Sequence, residues 1–178
     1  MLFRSPYWPS LACAADSRIQ RADGGLERSG SVLNALLHLN ALGACDDDWV
    51  LVHDAARPNL SRDDLDKLLA ELADDPVGGL LAVPARDTLK RVDKHGRVVE
   101  TVDRSLIWQA YTPQMFRLGA LHRALADSLV ADAVITDEAS AMEWSGQAPR
   151  LIEGRSDNIK VTRPEDLEWL RLRWANRR

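Results

Sequence analysis

The chain has 178 residues, which is about the length of one domain and enough to bury a hydrophobic core. Its hydrophobic fraction of 46% and charged fraction of 28% are those of an ordinary globular protein, and a net charge of −4 argues against a general nucleic-acid binder. No stretch approaches the ~20 apolar residues of a membrane span, and the N-terminus has no signal-peptide pattern. Cys13 and Cys45 lie far apart, as free thiols of a reducing compartment do. We expect a single cytoplasmic domain over residues 1–178 that binds neither nucleic acid nor membrane.

The first half of the chain predicts a helix and then a strand–helix–strand pattern. Residues 31–42 carry apolar side chains at helical spacing, and Gly43 ends the helix. The short apolar run WVLVH, residues 49–53, is typical of a strand buried on both faces of a sheet. Ser61 is predicted to cap a second helix, and GGLLAVP, residues 78–84, is a second buried strand. This alternation indicates a mostly parallel sheet with crossover helices.

A hairpin interrupts that pattern. Residues 87–104 alternate between apolar and polar side chains on either side of the turn sequence DKHG, which predicts two antiparallel strands that project as an arm over about 86–104. The α/β pattern then resumes, with a strand at 109–116, a helix at 118–129, a helix at 135–144 capped by Thr136, strands at 150–154 and 158–161, and a last helix from Thr162.

Two charged residues follow the first predicted strand. Asp54 comes directly after WVLVH, and Arg57 lies three residues further on. In open α/β sheets ligands bind beyond the carboxyl ends of the strands, and a carboxylate suited to Mg²⁺ beside an anion-binding guanidinium is what a phosphate–metal site needs. An aspartate that only caps the next turn is the alternative. His53 is more typical of a structural strand-end residue than of a base.

Two further stretches carry residues of a possible phosphate site. GGLERSGS, residues 24–31, precedes a helix and could bind an anion through backbone N–H groups, or be a plain loop. Asp157 and Lys160 precede the last helix, either as a second metal-competent carboxylate with a cation or as an exposed strand pair. Three threonines each suit a strand end or a helix cap when taken alone: Thr88, Thr112 and Thr136.

Taken together, these motifs resemble one family. HDAARP, ARDTLKR, VDRSLIWQAYTPQMF, ITDEASAME and EGRSDNIKVTRPEDL occur in the order and spacing of the 2-C-methyl-D-erythritol 4-phosphate cytidylyltransferases, from about Tyr7 to Leu170. The resemblance implies a Rossmann-like nucleotidyltransferase domain with helices on both faces of the sheet, and a homodimer formed through the β-arm. It also implies a reaction in which CTP and methylerythritol phosphate give the CDP-alcohol and pyrophosphate with Mg²⁺.

The resemblance also implies roles for single residues. Asp54 and Asp157 would hold Mg²⁺, while Arg57 would hold the acceptor phosphate and Lys160 would serve the charge that builds at the reacting phosphorus. The other residues implied to bind substrates are Gly25 and Ser31 at the cytidine part, Thr112 and Thr136 near the acceptor and reacting centre, Thr88 and Arg104 on the arm, reaching the partner subunit's site, and Ala55.

One part of the family pattern is missing from this sequence. The family opens with a strand and a glycine-rich loop that hold the CTP phosphates, whereas this chain enters the pattern at SPYWPSL. We therefore expect a domain that lacks that strand and loop. Two alternatives to the cytidylyltransferase remain open: another nucleotidyltransferase with a sugar-phosphate or sugar-acid acceptor, and a non-catalytic dimeric fragment of the family.

Overall fold

The computed structural model describes residues 8–176, so the first residues of the predicted domain, 1–7, and the last two, 177–178, lie outside the description. Two short 3₁₀ turns, Trp8–Ser10 and Ala12–Ala15, come first. The regular elements then follow in the order α1 (Arg28–Ala41), β1 (Trp49–Val52), α2 (Arg62–Leu72), β2 (Gly78–Pro84), β3 (Leu89–Val92), β4 (Val98–Val102), β5 (Trp108–Arg117), α3 (Leu118–Val130), α4 (Glu138–Trp144), β6 (Arg150–Glu153) and α5 (Pro164–Ala175). No helix in this described stretch is both long and apolar enough to cross a membrane.

Four strands form the main sheet, in the order β1-β5-β2-β6. The strands β2 and β6 run parallel, with Gly79 opposite Arg150 and Leu81 opposite Ile152. Position 79 requires glycine for a steric reason, because a Cβ there would collide with the backbone oxygen of Arg150. All of β2 except Pro84 is buried, as predicted from its unbroken apolar run. The predicted α/β class, with a central sheet and helices, is confirmed.

The chain divides into two compact units, and one boundary between them in the sequence falls within β5, after residue 114. One unit comprises residues 1–52 and 115–149, and its core is formed by side chains of α1, β5, α3 and α4, namely Leu36, Phe116, Leu118, Leu121, Leu125 and Met142. The other comprises residues 53–114 and 150–178, and its core includes Leu68, Leu72, Leu80, Leu81, Ile152 and Leu170. The prediction of one domain over the whole chain stays a prediction.

The predicted pair of antiparallel strands in the arm is confirmed. The strands β3 and β4 pair antiparallel as a separate two-stranded sheet, with Leu89 opposite Val102. In the turn, the Asp93 carboxylate accepts hydrogen bonds from the backbone N–H groups of His95 and Arg97, and Gly96 adopts a φ of +76°. These local contacts set the turn, which is why its sequence signal was readable.

Other boundaries differ from those predicted. Helix α1 begins at Arg28, so the second half of the supposed loop 24–31 is its first turn. Residues 158–161 are not a strand, because the Val161 N–H bonds to the backbone oxygen of Ala56 instead of a ladder partner. The strand β1 is not buried on both faces: it stands at the end of the described strand order, and Leu51 is exposed. The cap of α4 is Asp137, not Thr136, because the Asp137 carboxylate accepts the Ser140 N–H.

Candidate active site

Asp54 lies between two cations. Its Oδ2 atom is 3.1 Å from Nζ of Lys160 and 3.6 Å from Nε of Arg57, and its side chain is only 13% exposed. The segment that carries Lys160 is held beside the Asp54 turn by its next residue. The Val161 N–H donates to the Ala56 backbone oxygen at 2.7 Å. The sequence predicted all three charged residues as site residues, and the structure brings them together.

Arg57 is buried and held by the protein itself. Its Nη1 donates to the Asn158 backbone oxygen at 2.8 Å, its Nη2 donates to the Ala110 backbone oxygen at 3.4 Å, and the guanidinium carbon lies 4.4 Å from the centre of the Tyr111 ring. Burial lowers the pKa of Arg57, an effect that the Asp54 charge opposes. Arg57 therefore ties the Asp54 turn to the Lys160 segment, and its contact with an acceptor phosphate stays a prediction.

Thr112 joins the same cluster through its hydroxyl group. Thr112 Oγ1 accepts the Asp54 backbone N–H at 3.0 Å and lies 2.9 Å from Nδ1 of His53. Because the Arg57 carbonyl can only accept, the Nε2 atom of His53, at 2.9 Å, carries the hydrogen there. In the neutral ring Nδ1 then accepts the Thr112 hydroxyl hydrogen. His53 is thus the structural strand-end residue that the sequence favoured, and Ala55 is exposed in the turn it closes.

Asp157 is engaged with two guanidinium groups. Its carboxylate accepts from Nε of Arg155 at 3.0 Å and Nη2 of Arg155 at 2.7 Å, and it also pairs with Arg173 of α5. The hydrogen bonds from Arg155 hold the pKa of Asp157 below its usual range. A metal ion at Asp157 would have to compete with both guanidinium groups.

The donor set suits a metal ion shared with a substrate. Within residues 8–176, no group of three or more His, Cys, Asp or Glu side chains could hold an ion alone. Mg²⁺, however, is commonly bound by one or two carboxylates together with substrate phosphates. Asp54, just beyond the strand end and facing the half-exposed Lys160, fits such a role. Asp157 fits it less well, because hydrogen bonds from Arg155 and the pair with Arg173 engage its carboxylate.

The predicted cytidine residues lie in the other unit. The Gly25 N–H donates to Ser31 Oγ at 2.9 Å, and Ser31 Oγ donates to the Glu27 backbone oxygen at 3.0 Å. A Cβ on Gly25 would come within 2.6 Å of the backbone carbon of Gly30, so only glycine fits there without a shift. Gly25 and Ser31 therefore form one locked turn at the start of α1, and their contact with the cytidine part of CTP stays a prediction.

Thr136 belongs to the same unit as that turn and borders a cavity of about 110 Å³. The cavity is lined from the start of α1 by Glu27, Arg28 and Ser29, and from the start of α4 by Thr136, Asp137 and Glu138, with Leu125 and Ile135 completing it. The Thr136 backbone N–H donates to Ser140 Oγ at 3.0 Å, which fixes this residue to the first turn of α4.

Sequence reasoning missed an ion pair at this cavity. Arg28 donates from Nη1 and Nη2 to the two carboxylate oxygens of Glu138 at 2.5 and 2.9 Å, and the Glu138 side chain is fully buried. In the sequence, Glu138 is an acidic residue in the first turn of a helix, a common placement that does not suggest a buried partner. Its partner is 110 positions away in the chain, so no local pattern pointed to it.

The two predicted arm residues lie at its ends. Thr88 precedes β3 and Arg104 follows β4, and both side chains are exposed. Their predicted contact with a partner subunit's site stays a prediction.

Asp54, Lys160 and Arg57 meet beyond the end of a sheet strand, which is where ligands bind in open α/β folds, and the family match identifies the class as nucleotidyltransferases. The family model "IspD: 2-C-methyl-D-erythritol 4-phosphate cytidylyltransferase" matches residues 7–171, and the chain belongs to this family.

Individual relatives agree with that assignment. A protein of Pseudomonas fluorescens (strain SBW25) named 2-C-methyl-D-erythritol 4-phosphate cytidylyltransferase is 96% identical over 173 residues, which cover 97% of this chain and 74% of that protein. A crystal structure of the Francisella tularensis protein of the same name matches with a TM-score of 0.75 and 42% identity, covering 84% of this chain and 69% of the other. The Thermus thermophilus structure of that name gives a TM-score of 0.75 at 27% identity, covering 86% of this chain and 72% of the other.

Proposed function

We propose that this chain is a cytidylyltransferase that joins CTP and 2-C-methyl-D-erythritol 4-phosphate, releasing pyrophosphate, in the non-mevalonate route to isoprenoid precursors. The family assignment and the name of the 96% identical relative support the substrates. The observation within the molecule that carries the proposal is the Asp54 carboxylate held between Lys160 and Arg57, because this arrangement supplies charge of both signs where phosphates would react.

The chemistry needs no general base. An oxygen of the acceptor phosphate, already an anion, attacks the α-phosphorus of CTP, the bond from that phosphorus to the bridging oxygen breaks, and pyrophosphate leaves with the electron pair. Negative charge grows on the oxygens around the α-phosphorus, and catalysis is alignment together with neutralisation of that charge. Lys160, with its side chain 46% exposed beside Asp54, is suited to neutralise it.

We assign Mg²⁺ to Asp54, with Asp157 as the second carboxylate implied by the family resemblance. Bound Mg²⁺ would neutralise phosphate charge and orient the phosphates. The support is the position of Asp54 at the strand end and its remaining exposure. Asp157→Asn is the informative comparison, because the carboxylate of Asp157 is already paired with Arg155 and Arg173. If Asp157 is a ligand, its replacement raises the Mg²⁺ concentration for half-maximal rate as strongly as Asp54→Asn does.

The remaining substrate contacts are those that the family resemblance implies. Gly25 and Ser31 would contact the cytidine part of CTP, Thr112 and Thr136 would line the acceptor and the reacting centre, and Ala55 would also bind substrate. Thr88 and Arg104, at the ends of the arm, would reach the acceptor in the partner subunit of a homodimer. The locked turn between Gly25 and Ser31 and the exposure of the arm residues support these assignments.

The experiment is pyrophosphate release by the 178-residue chain with CTP, Mg²⁺ and a panel of acceptors. Release with methylerythritol phosphate and not with sugar phosphates or sugar acids would support the proposal. A preference for a sugar-derived acceptor would identify a different nucleotidyltransferase. No release with any acceptor, while a full-length relative is active under the same conditions, would show that the chain is a non-catalytic member of the family.

A further inference from the structure

An ion pair between Arg28 and Glu138 joins the start of α1 to the start of α4. Neither residue is among the assigned substrate contacts. Arg28 is the first residue of α1 and lies within the turn closed by Gly25 and Ser31. Glu138 is the first residue of α4, two positions after Thr136. Both carboxylate oxygens of Glu138 accept hydrogen bonds from Arg28, at 2.5 and 2.9 Å.

The burial of Glu138 indicates that the pair has a role beyond stability. Glu138 has no exposed side-chain surface, and Arg28 is 37% exposed. Desolvating a carboxylate is costly, and an apolar pair of similar volume is often at least as stabilising as an ion pair with a buried carboxylate. What a bidentate pair supplies in addition is fixed geometry, because the planar guanidinium fork allows one orientation of the carboxylate.

Both ends of the pair are themselves rigidly held. On the α1 side, the Gly25 N–H bonds to Ser31 Oγ at 2.9 Å, and Gly25 packs against Gly30. On the α4 side, the Asp137 carboxylate accepts the Ser140 N–H at 2.9 Å, while Ser140 Oγ accepts the Thr136 N–H at 3.0 Å. A displacement of either helix start would therefore be passed through Arg28 and Glu138 to the other.

We propose that Arg28 and Glu138 are positioning residues that set the cytidine-contacting turn at Gly25–Ser31 against the acceptor-contacting residue Thr136. The cavity of about 110 Å³ that they border lies between these two stretches. The expected effect on kcat rests on the proposed function, whereas the mechanical coupling of the two helix starts does not. Misplacing bound reactants by about 1 Å can cost ~10² in rate, so the pair acts on kcat.

The mechanical link is tested without substrate. In Glu138→Gln, the carboxylate charge is lost at nearly constant shape, and we expect hydrogen exchange of the Gly25 amide, measured by NMR, to become about tenfold faster. Arg123→Ala, which breaks the exposed pair with Asp46 in the same unit, is the matched control and should leave Gly25 exchange unchanged. Unchanged exchange of Gly25 in Glu138→Gln would overturn the proposal.

A kinetic experiment separates a positioning role from a purely stabilising one. The double variant Arg28→Met/Glu138→Leu replaces the pair with apolar side chains of similar size, which should keep the fold. We expect a thermal midpoint near that of the parent and a kcat for pyrophosphate release about 10²-fold lower. A kcat within about twofold of the parent in this stably folded variant would show a purely structural pair and overturn the proposal. If the parent itself releases no pyrophosphate, the proposed function fails for this chain, and Gly25 exchange alone decides the inference.

Discussion

Lys160 and Asp54 face each other at the end of the first strand, with Nζ 3.1 Å from Oδ2. Since the lysine side chain is the more exposed partner, it is the one able to turn toward an incoming phosphate. We expect Lys160→Ala to lower kcat by ~10²–10³ with a smaller change in KM, because the charge it neutralises develops in the transition state. Steady-state pyrophosphate release at varied CTP and acceptor concentrations measures both parameters.

Lys67 provides the control for that experiment. Its side chain is 45% exposed, against 46% for Lys160, and its Nζ donates to the Glu153 backbone oxygen in the same unit. Lys67→Ala removes an equivalent charge away from Asp54 and should leave kcat within about twofold of the parent. Equal losses of kcat in the two variants would indicate a general effect of charge and contradict the role of Lys160.

Arg57 has a structural and a kinetic prediction. Its replacement by alanine removes the donors to the backbone oxygens of the buried Asn158 and of the exposed Ala110. Leaving the buried Asn158 oxygen without this donor costs ~1–3 kcal/mol in the free energy of unfolding. Arg57→Lys should recover little of this loss, because a lysine cannot serve two divergent carbonyls as a guanidinium does. Urea denaturation of the parent and both variants measures the effect.

If Arg57 also holds the ground-state acceptor, as the family resemblance implies, its alanine variant raises KM for the acceptor more than it lowers kcat. A fall in kcat at unchanged acceptor KM would instead show that Arg57 works only by holding Asp54 and the Lys160 segment in place. Measuring both kinetic parameters below the denaturation midpoint distinguishes the two roles.

Asp157 gives the molecule a predictable response to acid. Hydrogen bonds from Arg155 lower its pKa in the folded state, so its contribution to stability is present above the ordinary aspartate pKa of about 3.9 and is lost as pH falls through the lower folded value. We expect Asp157→Asn to be less stable than the parent at about pH 7, and the difference to shrink steadily below about pH 4. Denaturant titrations from neutral pH to the lowest pH at which both proteins fold would show this.

The exposed aspartate after α2, Asp74, supplies the comparison. Asp74→Asn should change the free energy of unfolding by less than about 0.5 kcal/mol at any of these pH values. A difference between the parent and Asp157→Asn that stays constant as pH falls would mean that Arg155 and Arg173 do not stabilise the Asp157 carboxylate.

The parts of the fold that could be read from the sequence are those whose partners are close in the chain. Ser61 caps α2 by accepting the Asp64 N–H, three residues on, and the turn of the arm is closed by Asp93. The buried strand β2 was readable from its composition. In each case the local pattern and the folded contacts agree, so a short window of sequence was sufficient.

The parts that could not be read depend on distant partners. The segment 158–161 has strand-like composition, but its backbone bonds to the turn after β1 prevail over that preference. The burial of Arg57 follows from carbonyls 53 and 101 positions away. Resemblance to a family supplied the residue types of the site, and only the structure showed that Asp157 pairs with Arg173.

The arm carries the last prediction. Three valines on its strands, Val92, Val98 and Val99, are 52%, 61% and 64% exposed, which is more apolar surface than a solvated hairpin needs. We expect this surface to be covered by a second copy of the chain in a homodimer, and Arg104 to reach the partner's acceptor site. Light scattering at micromolar concentration should give the mass of two chains, and Val99→Asp should shift it toward one because a buried unpaired charge is costly at an interface.

Val130→Asp is the matched control for the dimer, since Val130 is 90% exposed at the end of α3 and away from the arm in sequence. It should leave the mass unchanged. Arg104→Ala should keep the dimer but raise KM for the acceptor. Mixing Arg104→Ala with Lys160→Ala should restore activity in about half of the sites of the mixed dimers. One of the two sites in each mixed dimer then has both residues intact. A parent that is monomeric at these concentrations, or mixtures that recover no activity, would rule out an arm that completes the partner's site.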